Sequence, residues 1–233
     1  MVKRSMLKAV IFDFNGIIAD DEPIHFELFA KVMAEERVLI SRDEYNHFYL
    51  HLNDHDAFET GLRRHNKTFT PDSLSKLIHR KTIYYNEVIS TREVLFPDAP
   101  DFIRKTAGLF PLAIASGALN AEIEFILKRA GLEEFFPVII AAERTFHGKP
   151  HPECYLNALR GLNAFYQKNS PIKPSEVLVI EDSIGGIEGA HRAGMVCLAV
   201  TNSYQKNELI EADMIVDSLS EIDFKKIRPY FEK

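Results

Sequence analysis

The chain has 233 residues, 46% apolar and 27% charged, with 28 Lys and Arg against 34 Asp and Glu for a net charge of −6. That apolar share excludes a disordered chain, and the mild acidity lacks the basic footprint of general nucleic-acid binding. Two cysteines, Cys154 and Cys197, stand far apart without a CxxC partner, which speaks against a disulfide framework or a cysteine-rich zinc site and for a reducing cytoplasm.

The N-terminal stretch Met1–Lys8 is positively charged, yet the apolar run after it, Ala9-Val-Ile-Phe12, is too short for a signal-peptide core and ends at Asp13. No apolar run approaches the ~20 residues of a membrane span. The expectation is a soluble cytoplasmic protein with no membrane and no nucleic-acid partner. Ala9–Phe12 does not alternate apolar with polar residues, so it reads as a strand buried on both faces, as in a parallel sheet.

From about Asp20 to Thr91 no buried strand follows, only helical periodicity. Ser41-Arg-Asp-Glu44 has the form of a capping box, and Thr70-Pro71 places an N-cap before a proline at the first helical position. A helix is predicted from Pro71 to about Ile89, apolar at Leu74, Leu77, Ile78, Tyr84, Tyr85 and Val88. Phe26, Phe29, Met33 and Val38 have near-helical spacing that packing alone explains. His47, His51 and His55 would share one helix face and could hold a transition metal, but Asn53-Asp54 argues for a helix break there.

Further non-alternating runs follow at Leu112–Ala115, Val138–Ala141, Val177–Ile180, Cys197–Val200 and, shorter, Met214–Val216. Helices are predicted between them, at Ala121–Ala130 and Pro152–Leu162, and a loop at Gln167–Pro174. A β-α-β-α succession indicates an α/β fold with a doubly wound, Rossmann-like parallel sheet. The predicted division is a core of residues 1–19 and 92–233 with an all-helical cap, 20–91, inserted where such sheets bind ligands. The insertion is placed to act as a lid.

Three of these strands end in polar residues: Asp13-Phe-Asn15-Gly16, Ser116-Gly117 and Glu181-Asp182-Ser183. His147-Gly148-Lys149-Pro150 follows another and supplies a cation. Each piece alone reads as a cap or turn former. In a parallel sheet, however, all lie on one edge. Paired acids hold Mg²⁺, a carboxylate beside the metal can attack phosphorus, and a hydroxyl, backbone N–H groups and a lysine can hold phosphoryl oxygens.

Asp13-x-Asn15-Gly16, Ser116, Lys149-Pro150 and Glu181-Asp182-Ser183-x-Gly-Gly-Ile187 resemble the four motifs of the haloacid dehalogenase superfamily, in its branch of phosphatases and β-phosphoglucomutases with a helical cap. The resemblance spans nearly the whole chain. It implies that Asp13 is the nucleophile and a metal ligand, that residue 15 offers its backbone carbonyl to Mg²⁺, and that Asp182 is the other protein ligand. Glu181 would sit behind these ligands or share the metal. Ser116 and Lys149 would hold phosphoryl oxygens, Gly117 would let the backbone approach closely, and His25 and Lys81 fall where mutase-like relatives handle substrate.

The chain departs from the family pattern in two places. The family reads D-x-D-G, whose second Asp protonates the leaving oxygen and then activates water; Asn15 cannot shuttle a proton. Acid–base catalysis contributes ~10²–10⁴-fold, so turnover is expected to be impaired on that scale. An introduced Asp→Asn change, a natural weak or repurposed member, and deamidation of Asn15-Gly16 remain open as explanations. In the cap loop, His51 and Asp54 stand where mutases carry Gly and Arg, which favours a phosphatase over a mutase. The expectation is a Mg²⁺-dependent phosphatase of a small phosphorylated metabolite, monomeric by default; the alternatives are a β-phosphoglucomutase-like enzyme or a catalytically weak phospho-ligand-binding protein.

Overall fold

The computed structural model describes residues 6–50, 52–167 and 170–231. The chain forms two compact units: one holds the chain up to Asp20 together with everything from Leu95 onward, and the other is Asp21–Val94.

The first unit is built on six parallel strands, β1 (Ala9–Phe12), β2 (Leu112–Ala115), β3 (Val138–Ile140), β4 (Val177–Glu181), β5 (Val196–Val200) and β6 (Met214–Val216). Their order across the sheet is β3-β2-β1-β4-β5-β6, with every pairing parallel. Composition explains the order. β1, β2 and β4 are apolar at almost every position and buried throughout, whereas the edge strands β3 and β6 are partly exposed. Helices of this unit cover the sheet, so both faces leave water and non-alternating strands result. The doubly wound α/β fold expected from the run pattern is the one observed.

β1 pairs with β2 on one side and β4 on the other, which makes it the point where the strand order reverses. Phe12 stands opposite both Ile114 and Ile180. Asp13 therefore leaves the sheet level with Ala115 and Glu181, and Ser116 and Asp182 follow one step later. Open α/β sheets bind ligands at this switch point, beyond the carboxyl ends of the strands.

The second unit holds α1 (Glu22–Glu35), α2 (Arg42–Phe48), α3 (Asp54–Arg64) and α4 (Pro71–Thr91). Phe29, Val32, Met33, Tyr45, Tyr49, Phe58, Leu74 and Leu77 form its core. The helix predicted from Pro71 starts there: Ser73 N donates to Thr70 Oγ1 at 3.2 Å, and Thr70 N donates to Ser73 Oγ at 2.8 Å.

One local expectation is corrected and one is borne out. Ser41 caps α2 by accepting from Glu44 N at 3.1 Å, but Glu44 does not complete the box. Its carboxylate accepts from Tyr49 OH at 2.7 Å and faces His65 Nε2 at 2.9 Å, because a phenol and an imidazole outcompete the local N–H. His47 and His55 lie on different helices, separated by the Asn53 cap that accepts from Asp56 N at 2.9 Å. A single-face triad is thereby ruled out for these two, and His51 lies outside the described residues, as do Lys168 and Asn169 of the predicted loop. Both cysteines are buried and free. No described helix is long and apolar enough to cross a membrane.

Candidate active site

At the carboxyl edge of the sheet, oxygens of Asp13, Glu181 and Asp182 lie within 4.8 Å of one another, and all three residues are buried. Their approach depends on glycine. Gly16 has φ +77°, and a Cβ there would fall 1.8 Å from Asp182 Oδ2. A Cβ on Gly186 would fall 1.9 Å from the Glu181 carboxylate. Only residues without side chains fit these positions.

Lys149 is drawn into the cluster, its Nζ standing 2.7 Å from Asp13 Oδ1 and 2.5 Å from Glu181 Oε1. Glu181 is already saturated. Oε1 also accepts from Tyr155 OH at 2.8 Å, and Oε2 accepts from the N–H groups of Asp182 and Ser183 at 2.9 and 3.0 Å and from Ser183 Oγ at 2.9 Å. Both oxygens are thus spent on fixing Lys149 and the loop that carries Asp182. Asp13 Oδ1 is different: it is buried and meets Lys149 as an ion pair, with no aligned hydrogen bond.

The charges explain the titration. Burial pushes the Asp13 carboxyl up to about 6, with Lys149 resisting and Glu181 assisting. Burial, then Glu181 and Asp13, hold Asp182 well above the usual carboxylate range. Burial also opposes ionised Glu181, but Lys149 and the hydrogen bonds overcome it and lower its pKa. For Lys149 the burial cost is reversed by Asp13 and Glu181, so the ammonium form is held beyond its ordinary range. Three clustered carboxylates against one ammonium leave an excess of negative charge in a desolvated place. Asp13 and Asp182 remain as hard oxygen donors, a set that suits a divalent cation such as Mg²⁺.

Ser116 is buried one residue past β2. Its N–H donates to Ile140 O at 2.9 Å, and its Oγ accepts from Ala118 N at 3.1 Å. Gly117 next to it is open, with nothing within 4 Å of where a Cβ would stand. Asn15 is half-buried in the turn after β1, where it bridges to Ala19. Sequence reasoning missed three contributors. Ser203 Oγ donates a very short hydrogen bond to Asp182 Oδ2, and Asn202 Nδ2 donates to Gly16 O at 2.7 Å. Thr201-Asn202-Ser203 directly follows an apolar strand, the same strand-end signal that marked the other motifs. Tyr155 had no such signal, since a buried aromatic on a helix reads as core.

In the helical unit, His25 and Lys81 do come together, with Lys81 Nζ 2.8 Å from His25 Nδ1. His25 Nε2 faces Asp21 Oδ2 at 3.3 Å, its ring stacks on Tyr85, and Lys81 also bonds Asp54. Burial and Lys81 press the His25 pKa down, but Asp21 and Glu22 prevail and raise it. Lys81 is 3% exposed, so its ammonium is committed to tying α4 to α1 and α3. Asp54 pairs with this lysine.

A family profile of haloacid dehalogenase-like hydrolases matches residues 7–194. The chain belongs to the haloacid dehalogenase-like hydrolases. Within that family it is 25% identical over 225 residues to a validoxylamine A 7'-phosphate phosphatase from Streptomyces hygroscopicus subsp. limoneus, covering 96% of this chain and 100% of the other. It is 26% identical to a β-phosphoglucomutase from Bacillus subtilis, over 97% of this chain and 96% of that protein. A crystal structure of a CbbY mutant from Rhodobacter sphaeroides, in complex with xylulose-(1,5)bisphosphate, superposes with a TM-score of 0.79 at 28% identity, covering 93% of this chain and 96% of that one.

Proposed function

We propose that this haloacid dehalogenase-like hydrolase is a Mg²⁺-dependent phosphatase that removes the phosphoryl group of a small phosphorylated carbohydrate through an aspartyl-phosphate on Asp13. The observation that carries this reading is the cluster of Asp13, Asp182, Glu181 and Lys149 at the switch point of the sheet. Relatives that act on phosphorylated compounds, by their names, support the substrate class.

Lys149 and the Ser116 hydroxyl hold phosphoryl oxygens, with the backbone beside Gly117 approaching closely. Glu181 keeps Lys149 in place and takes no further part. The Asp13 carboxylate attacks phosphorus; its new O–P bond forms as the bond to the substrate oxygen breaks, and that oxygen takes a proton from water. Water then attacks the aspartyl-phosphate, the O–P bond to Asp13 breaks, and phosphate leaves. Mg²⁺, bound by Asp13, Asp182 and the backbone carbonyl of residue 15, would neutralise charge on the transferring group. Asn15 can donate a hydrogen bond to the leaving oxygen but can neither give up nor take a proton, so both steps run slowly. His25, whose side chain is 21% exposed, remains assigned to substrate handling on the strength of the family resemblance, with the buried Lys81 positioning its ring.

A panel of phosphorylated sugars, assayed with and without Mg²⁺, tests the proposal. Release of inorganic phosphate that depends on Mg²⁺ supports it. Isomerised sugar phosphate without phosphate release would make the chain a mutase. Binding of vanadate with no turnover of any substrate would make it a phospho-ligand-binding protein.

A further inference from the structure

The loop that carries Lys149 holds a second constellation of metal-ligating groups. His147, His151 and Glu153 each offer one ligand atom, and the three atoms lie within 4.8 Å of one another. His147 Nδ1 is 3.0 Å from Glu153 Oε2, and His151 Nδ1 is 3.9 Å from the same oxygen. Ligands held tetrahedrally at bonds of ~2.0–2.1 Å stand about 3.3–3.4 Å apart, a value these separations bracket. Glu153 is the anchor. Its Oε1 accepts from Phe146 N and its Oε2 from His147 N, each at 3.1 Å, and its side chain is only 15% exposed. The two imidazoles sit side by side, ring centroids 4.5 Å apart, with exposures of 66% and 49%. The carboxylate is thus fixed, while the solvent side stays open for entry and for water ligands.

We propose that His147, His151 and Glu153 form a binding site for a late first-row divalent cation of the Zn²⁺ class, separate from the all-oxygen donors of Asp13 and Asp182. Two imidazoles and one carboxylate match zinc preferences, whereas Mg²⁺ takes oxygen ligands. All three ligands flank Lys149 within seven residues, so an occupied site restrains the loop that delivers this ammonium.

The test is Zn²⁺ titration by calorimetry in excess Mg²⁺, with the full chain carrying Asp13→Ala to silence the carboxylate cluster. One Zn²⁺ bound per chain is expected, with affinity falling about 100-fold or more in His147→Ala/His151→Ala. Both histidines are exposed, so the double variant is expected to keep its melting temperature in EDTA, which separates lost ligands from lost fold. His47→Ala/His55→Ala is expected to bind as the parent does. Equal Zn²⁺ affinity in the parent and the His147/His151 double variant, or an equal loss in the His47/His55 control, overturns the proposal.

Discussion

Two glycines and one glutamate set the geometry of the acidic cluster. A methyl group on Gly16 would overlap Asp182 and strain a backbone at φ +77°, so Gly16→Ala is expected to abolish turnover in a phosphatase assay. Gly117→Ala, whose Cβ meets nothing within 4 Å, is expected to leave the thermal midpoint unchanged. Glu181 is fully buried and bonded through both oxygens. Glu181→Ala therefore frees Lys149, Tyr155 and two loop amides at once, and chemical denaturation should register a loss of about 3–5 kcal/mol. Asp13 makes the opposite kind of prediction. Its folded pKa of about 6 lies above the ordinary 3.8, so its contribution to stability is fully present below about pH 4 and is lost as pH rises through about 6. In metal-free protein, Asp13→Asn should raise the melting temperature at about pH 7.5, and the gain should shrink toward about pH 4. A constant gain at both pH values would show that ionised Asp13 carries no burial cost. Asp13 was legible in the sequence because it directly follows an apolar run and Asp182 because it lies one residue past another, whereas Lys149 stands eight residues beyond Ala141 and was read from its place in the His147–Pro150 motif. Tyr155 was not legible, because its hydrogen bond to Glu181 spans 26 residues and leaves no local pattern.

The elements were the most legible level. Strands with no polar alternation came out nearly to the residue, because burial on both faces leaves an uninterrupted apolar run. The α4 start was equally clear, since Thr70, Pro71 and Ser73 supply cap, first-turn proline and reciprocal bond within four residues. The capping box at Ser41 failed halfway, since Glu44 found Tyr49 and His65, partners the local sequence does not reveal. The same competition is resolved differently at the helix Ile184–Arg192. Its cap Ser183 accepts from Gly186 N at 3.0 Å and donates to Glu181 at 2.9 Å. Ser183→Ala is expected to cost about 1 kcal/mol from the lost cap, and more because a Glu181 bond goes with it. Differential scanning calorimetry of that variant beside Ser41→Ala, whose serine caps without touching the acidic cluster, would separate the two contributions.

At the scale of the molecule, the net charge of −6 says little about partners; its distribution says more. Three of the acids are gathered, buried, at the point where the sheet reverses its strand order, with Lys149 as their counter-ion. Removing divalent cations with EDTA should lower the melting temperature of this chain, and Asp182→Asn should make that temperature insensitive to Mg²⁺. The measurement closest to the central claim is turnover of p-nitrophenyl phosphate in Mg²⁺ by this chain, Asn15→Asp and Asp13→Ala. Phosphoryl transfer through Asp13 predicts slow turnover by the chain as it stands, a gain of about 10²–10⁴-fold in Asn15→Asp, and none in Asp13→Ala. Undiminished turnover in Asp13→Ala, or no gain in Asn15→Asp, would contradict it.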